Sequence, residues 1–210
     1  MRNVVLWVGM SLDGFTSGEN EQLDWLIPHA TQPEANEVFR HIRERADTIL
    51  LGRVNYEGFL GYWPRVKNDP KASPTDKAIS RWLDDTEKVV FSRTLHQVTW
   101  QNARLAQRDA AEEVEGLKRG AGKDIVIQNS TRLAQSLLAA DLVDELALVV
   151  APVAVGKGRA LFAGLPHQIE LERAELESVR DGTIVVRYRV KHAHNRTNSD
   201  GGRISTALES

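Results

Sequence analysis

The sequence predicts a single α/β domain built on a largely parallel sheet with right-handed crossovers. Short apolar runs alternate with amphipathic helical patterns along most of the 210 residues, as repeated strand–helix units require. That length suits one well-packed core and is short for two. Near the end the pattern changes to two strands flanking Asp181-Gly182, an antiparallel hairpin signal.

Each element has its own signature. Val4 to Val8 is an apolar run read as the first strand. Thr31-Gln32-Pro33-Glu34 has the form of a capping box. The helix it opens carries Ala35, Val38, Phe39, Ile42 and Ala46 on one face. Thr48 to Leu51 is the second strand, and a helix follows from Val54. Ser73-Pro74-Thr75-Asp76 offers an N-cap, a proline at the first helical position and an acid in the first turn, for a helix running to about Leu83.

Lys88 to Phe91 and Val98 to Trp100 are the third and fourth strands. Ala110, Val114 and Leu117 mark a helix stopped by Gly120 and Gly122. Ile125 to Ile127 is a brief buried strand, followed by a helix carrying Leu133, Leu137 and Leu138. Glu145 to Pro152 is a long apolar strand, and Ile169 to Val179 with Thr183 to Val190 forms the hairpin. Residues 1–190 are thus expected to form the domain. Residues 191–210, rich in Gly, Ser and Asn, are expected to be a flexible polar tail.

Composition narrows the function. A net charge of −2 gives no electrostatic reason to bind nucleic acid or an acidic membrane. No apolar run approaches the ~20 residues that span a bilayer, and no signal-peptide pattern opens the chain. The absence of cysteine excludes disulfides, thiolate metal sites and thiol catalysis. The six histidines are scattered, so no metal site is expected. A cytoplasmic protein acting on a small molecule fits these bounds.

The candidate site begins at Gly52-Arg53-Val54-Asn55, where a buried strand ends and a helix starts. Unpaired N–H groups and the helix dipole favour an anion there, and Arg53 adds a fork of donors suited to phosphate. Ser11-Leu12-Asp13-Gly14 follows the first strand, and Phe91-Ser92-Arg93-Thr94-Leu95 follows the third. Leu142-Val143-Asp144-Glu145-Leu146, Ala151-Pro152-Val153-Ala154-Val155-Gly156-Lys157-Gly158 and Leu161-Phe162 come late in the chain. In this order and spacing the set resembles the dihydrofolate reductase-like superfamily, in the branch of the riboflavin-biosynthesis reductase domain and its stand-alone bacterial relatives.

That resemblance, covering roughly residues 2–190, implies a three-layer fold with a mixed, mostly parallel sheet, flanking helices and a C-terminal antiparallel hairpin. It implies an NADPH-dependent oxidoreductase acting on a small polar or heterocyclic substrate, similar to 5-amino-6-(5-phosphoribosylamino)uracil reductase, and a homodimer. Arg53, Val54 and Asn55, with Ser92, Arg93 and Thr94, would hold the cofactor phosphates. Gln128, Asn129, Ser130 and Thr131 stand where the family has glycines against the pyrophosphate; glycine serves there because it tolerates positive φ and blocks nothing. Asp13, Asp24, Trp25 and Lys157 would border the substrate. The carboxylate that dihydrofolate reductases carry on their first helix has Asn36 and Glu37 as its nearest counterparts here, so the catalytic group is unassigned. Alternatives are a dihydrofolate reductase-type enzyme on another substrate and a non-catalytic ligand-binding relative.

Overall fold

In a computed structural model, which describes residues 1–179 and 181–192, the alternating pattern becomes a sheet between two helical layers. The chain runs β1 (Val4–Ser11), β2 (Phe15–Ser17), a 3-10 turn (Glu19–Glu21), α1 (Ile27–Ala30), α2 (Pro33–Glu44), β3 (Ala46–Gly52) and α3 (Arg53–Val66). It continues through α4 (Pro74–Asp85), β4 (Glu87–Phe91), β5 (Ala103–Leu105), α5 (Ala110–Arg119), β6 (Asp124–Gln128) and α6 (Thr131–Ala139). The closing part is β7 (Glu145–Ala151), β8 (Arg159–Ala160), β9 (Glu170–Ser178) and β10 (Ile184–Lys191).

Eight strands form the main sheet in the order β5-β4-β3-β6-β1-β7-β10-β9, and β2 pairs with β8 in a separate small sheet. The first six of the eight are mutually parallel. β10 runs antiparallel to β7, and β9 to β10. Strand side chains alternate between faces. On one face Val5, Trp7, Ile49 and Leu51 meet Phe39 of α2, Tyr56 of α3 and Leu83 of α4. On the other, Leu6, Val8, Leu50 and Ile127 meet Val114 of α5 and Leu137 of α6. This is the three-layer arrangement expected.

Four expectations are corrected. Thr31 does not cap α2: its hydroxyl donates back to the Ile27 carbonyl (2.9 Å) and closes α1. The cap falls one residue later, on Gln32, without a side-chain bond, so Glu34 is out of register for a capping box. Ala46 is the first residue of β3, not part of α2. Val98 to Trp100 is not a strand. Thr99 and Trp100 donate their N–H groups to the Tyr56 hydroxyl (2.9 and 3.2 Å), and the edge of the sheet is made by Ala103–Leu105. Finally, β10 runs through Lys191, and His192 contacts Asp141 (2.9 Å) and Asp144 (3.0 Å). The expected tail therefore overlaps the fold by two residues; its remainder, 193–210, lies outside the described residues.

The cap at Ser73 forms as read, its hydroxyl accepting the Asp76 N–H at 3.0 Å. Beyond α4 a polar cluster is buried against that helix. Lys88 is fully enclosed and donates to the carbonyls of Leu83 and Thr86, which close α4.

Candidate active site

The adjacent strands β3 and β6 run straight into α3 and α6, and neither helix has a side-chain cap on its first N–H groups. Two helix N-termini with unpaired donors therefore stand side by side at the carboxyl end of the sheet, where α/β sheets bind ligands. Ser130 ties them together. Its Oγ accepts the Gly52 N–H (2.9 Å) and an Asn55 Nδ2 hydrogen (3.1 Å), and donates to the Gln128 carbonyl (3.1 Å). Asn55 Nδ2 also donates to that carbonyl at 3.0 Å. Asn129 makes the bend with φ +50°, a left-handed geometry that asparagine tolerates better than most side chains.

Gly52 lies in register with Phe91, so the turn after β4 borders the same place. The structure thus gathers the three predicted segments 53–55, 92–94 and 128–131 at three neighbouring strand ends. Arg53 is half exposed and paired with Glu57 one turn along α3 (2.7 Å). Val54 is exposed. Ser92 Oγ accepts the N–H groups of Thr94 (3.1 Å) and Leu95 (2.9 Å), so its role is to shape the turn. Arg93 and Thr94 are exposed, and Arg93 has no ion pair among the described residues. Thr131 is buried against Thr16, the two hydroxyls 2.7 Å apart.

The expected substrate side is built differently. Asp13 accepts hydrogen bonds from the Ser11 hydroxyl (2.6 Å) and the N–H groups of Val155 (3.0 Å) and Gly156 (2.7 Å). The Ser11 hydroxyl, then these backbone donors, bring its pKa down to about 2. Its carboxylate thus joins the loop after β1 to the loop after β7. Because the folded value lies below the ordinary 3.8, this linkage is intact above pH 3.8 and is lost as pH falls through about 2. The Gly156 amide shift, followed by NMR, should titrate near 2; a midpoint near 4 would mean that the contact is not formed.

Lys157 is exposed on that same loop. Gly158 follows at φ +143°, and a Cβ there would strike the Ser17 carbonyl oxygen, so the loop must pass against β2 without a side chain. Asp24 is exposed, and Trp25 is half-buried with its Nε1 enclosed and unpartnered. Leu26 closes over β1, where a Cβ on Gly9 would stand 2.7 Å from its Cδ1.

Neither first-helix candidate faces a site. Asn36 Nδ2 donates to the Thr31 carbonyl (3.0 Å), and Glu37 pairs with Arg40 at the surface (2.6 Å). Sequence reasoning missed Glu34, in the first turn of α2, whose Oε2 is enclosed without a partner. It also missed the state of the Gln128 side chain, which is only 4% exposed and whose Oε1 has no hydrogen-bond partner. Leaving such a group unpaired costs ~1–3 kcal/mol. No signal in the sequence distinguishes a paired from an unpaired buried amide.

The open cleft of about 520 Å³ at the other end of the sheet is not the site. Four of its five charged groups are paired with one another, Arg2 with Asp47 and Arg104 with Glu87. Among the described residues no cluster of His, Asp or Glu is arranged to hold a metal, and no helix is long and apolar enough to cross a membrane.

Residues 2–185 match the family model of the RibD C-terminal domain. The uncharacterized protein YyaP of Bacillus subtilis (strain 168) is 31% identical over 187 residues, covering 89% of this chain and 94% of that protein. Two solved structures are similar in fold. A diaminohydroxyphosphoribosylaminopyrimidine deaminase/5-amino-6-(5-phosphoribosylamino)uracil reductase from Thermotoga maritima gives a TM-score of 0.62 at 14% identity, over 90% of this chain and 57% of that one. Dihydrofolate reductase from Enterococcus faecalis, complexed with NADP(H) and RAB-propyl, gives 0.55 at 14% identity, over 90% and 96% of the two chains.

Proposed function

Since the chain belongs to the RibD C-terminal domain family, we propose that it is an NADPH-dependent reductase of a small polar heterocyclic substrate. The observation that carries this reading is the pair of uncapped helix N-termini at neighbouring strand ends, flanked by Arg53 and Arg93. The first-turn N–H groups of α3 and α6 would hold the pyrophosphate, and the two guanidinium groups would meet the 2′-phosphate. The cofactor supplies the hydride. The protein contributes position: the Ser130–Asn55 clasp keeps the helix ends together, and Asp13 holds the substrate-side loop in place.

NADPH at 100 times its dissociation constant should stabilise the protein by about 2.7 kcal/mol, read as a rise in melting temperature. Arg53→Ala should weaken NADPH by roughly 1.5 kcal/mol and leave NADH unchanged. The figure is at the low end for a charged contact because the guanidinium is half exposed and must first release Glu57. Equal losses for both cofactors would refute the 2′-phosphate assignment. The second reading, a ligand-binding relative without turnover, is favoured by Asp13 and Arg53 both being engaged within the protein. Oxidation of NADPH that depends on an added pyrimidine substrate would exclude it.

A further inference from the structure

We propose that the side-chain carboxamide of Gln128 is a specificity-determining contact to the nicotinamide half of the cofactor, accepting a hydroxyl or amide hydrogen on Oε1. This rests on the NADPH reading above and goes beyond it, because nothing in that reading gives the Gln128 side chain a task.

Four observations lead to it. Strand alternation puts Gln128 on the α2–α3 face, since Val126 belongs to that core and Ile127 to the opposite one. In register it lies level with Trp7 of β1. It is 4% exposed, and its Oε1 has no partner. An apolar side chain at this position would fill the space without stranding a polar atom, so the amide is disadvantageous in the free protein and needs a partner from outside.

The backbone at this place cannot take over the role. The Gln128 carbonyl already accepts from Asn55 Nδ2 and Ser130 Oγ, and the Asn129 N–H donates to the Trp7 carbonyl at 3.0 Å. What remains for a ligand is the side chain.

The chemistry of the partner follows from the kind of atom left over. Among the described residues neither end of the Gln128 carboxamide has a hydrogen-bond partner, so it offers an acceptor and a donor side by side. A hydroxyl or a carboxamide, which carries both, matches it better than a phosphate, which only accepts. The donors assigned above to the phosphates lie just beyond the strand ends, at the starts of α3 and α6. Between them and β1, the ligand must therefore present an uncharged hydrogen-bonding part. In NADPH that part is the nicotinamide riboside, with its ribose hydroxyls and carboxamide N–H groups.

The test compares two ligands on Gln128→Leu, with Gln128→Met as a second variant should the first fail to fold. Isothermal titration uses NADPH and 2′,5′-ADP, which has the adenosine phosphates but no nicotinamide riboside. The expected result is an approximately tenfold loss of NADPH affinity, unchanged 2′,5′-ADP affinity, and a ligand-free melting temperature equal to or above that of the wild type. Unchanged NADPH affinity would overturn the proposal. Equal weakening of both ligands would also overturn it, since the residue would then act through the Ser130–Asn55 clasp. If the wild type binds 2′,5′-ADP and NADPH equally tightly, the nicotinamide contact is absent and the cofactor reading survives; if it binds neither, both fall.

Discussion

Replacing Asp84 by alanine should cost the fold about 3 kcal/mol, the lower end of what breaking a buried ion pair costs. Asp84 is 3% exposed, pairs with Lys67 through Oδ2, and accepts the Trp100 Nε1 hydrogen at 2.6 Å through Oδ1. Lys67 is one-third exposed, which is why the lower end applies. Burial pushes the Asp84 carboxyl up, but the hydrogen bonds from Lys67 and Trp100 outweigh it and hold the pKa below its ordinary value. Lys88 stands beside it, 4.9 Å from the Trp100 ring, and burial pushes its pKa down to about 8. Removing the carboxylate leaves that ammonium without its nearest counter-charge. Urea denaturation of Asp84→Ala and Asp84→Asn checks this; asparagine should recover part of the loss by keeping the Trp100 bond. A loss of less than about 1 kcal/mol for alanine would show that the α4 carbonyls satisfy Lys88 alone.

Trp7→Ala should be at least as damaging, at about 3–5 kcal/mol for an aromatic removed from a core. The Trp7 ring is 7% exposed and stacks on Phe39 with centroids 5.0 Å apart and planes 12° from parallel. Phe39 in turn meets Trp82 edge-on at 5.8 Å. The loss propagates to the site because Trp7 lies level with Gln128 in the sheet. Trp7→Phe, which keeps a ring against Phe39, should lose less than half as much in the same denaturation measurement. Equal losses would mean that the cost comes from the backbone at β1 rather than from the stack.

The parts of this fold that could be read in the sequence are those where one local rule decides. β3, β6 and β7 are apolar runs with no competing pattern, and α4 announces itself through Ser73, Pro74 and Asp76. Misreadings occurred where a distant side chain decides instead. Val98–Trp100 is held by Tyr56 and Asp84, and neither partner is visible in the local pattern. β2 and β8, of three and two residues, have too few residues to show a period. In the site, the gathering of the segments around Arg53, Arg93 and Ser130 follows from strand order. The spending of the Asp13 carboxylate on Val155 and Gly156 does not, because it depends on a loop more than a hundred residues away.

The central position of β1 has a consequence for how the protein is made. Val4 pairs with Ile125 and Val5 with Glu145, so on the growing chain β1 finds its neighbours only after β6 and β7 have been synthesised. At ~5–20 residues per second, the apolar run Val4–Val8 stays unpaired for several seconds, and a strand in that condition is open to pairing with other chains. α2 can shield part of it meanwhile, since Phe39 reaches Trp7 without waiting for the sheet.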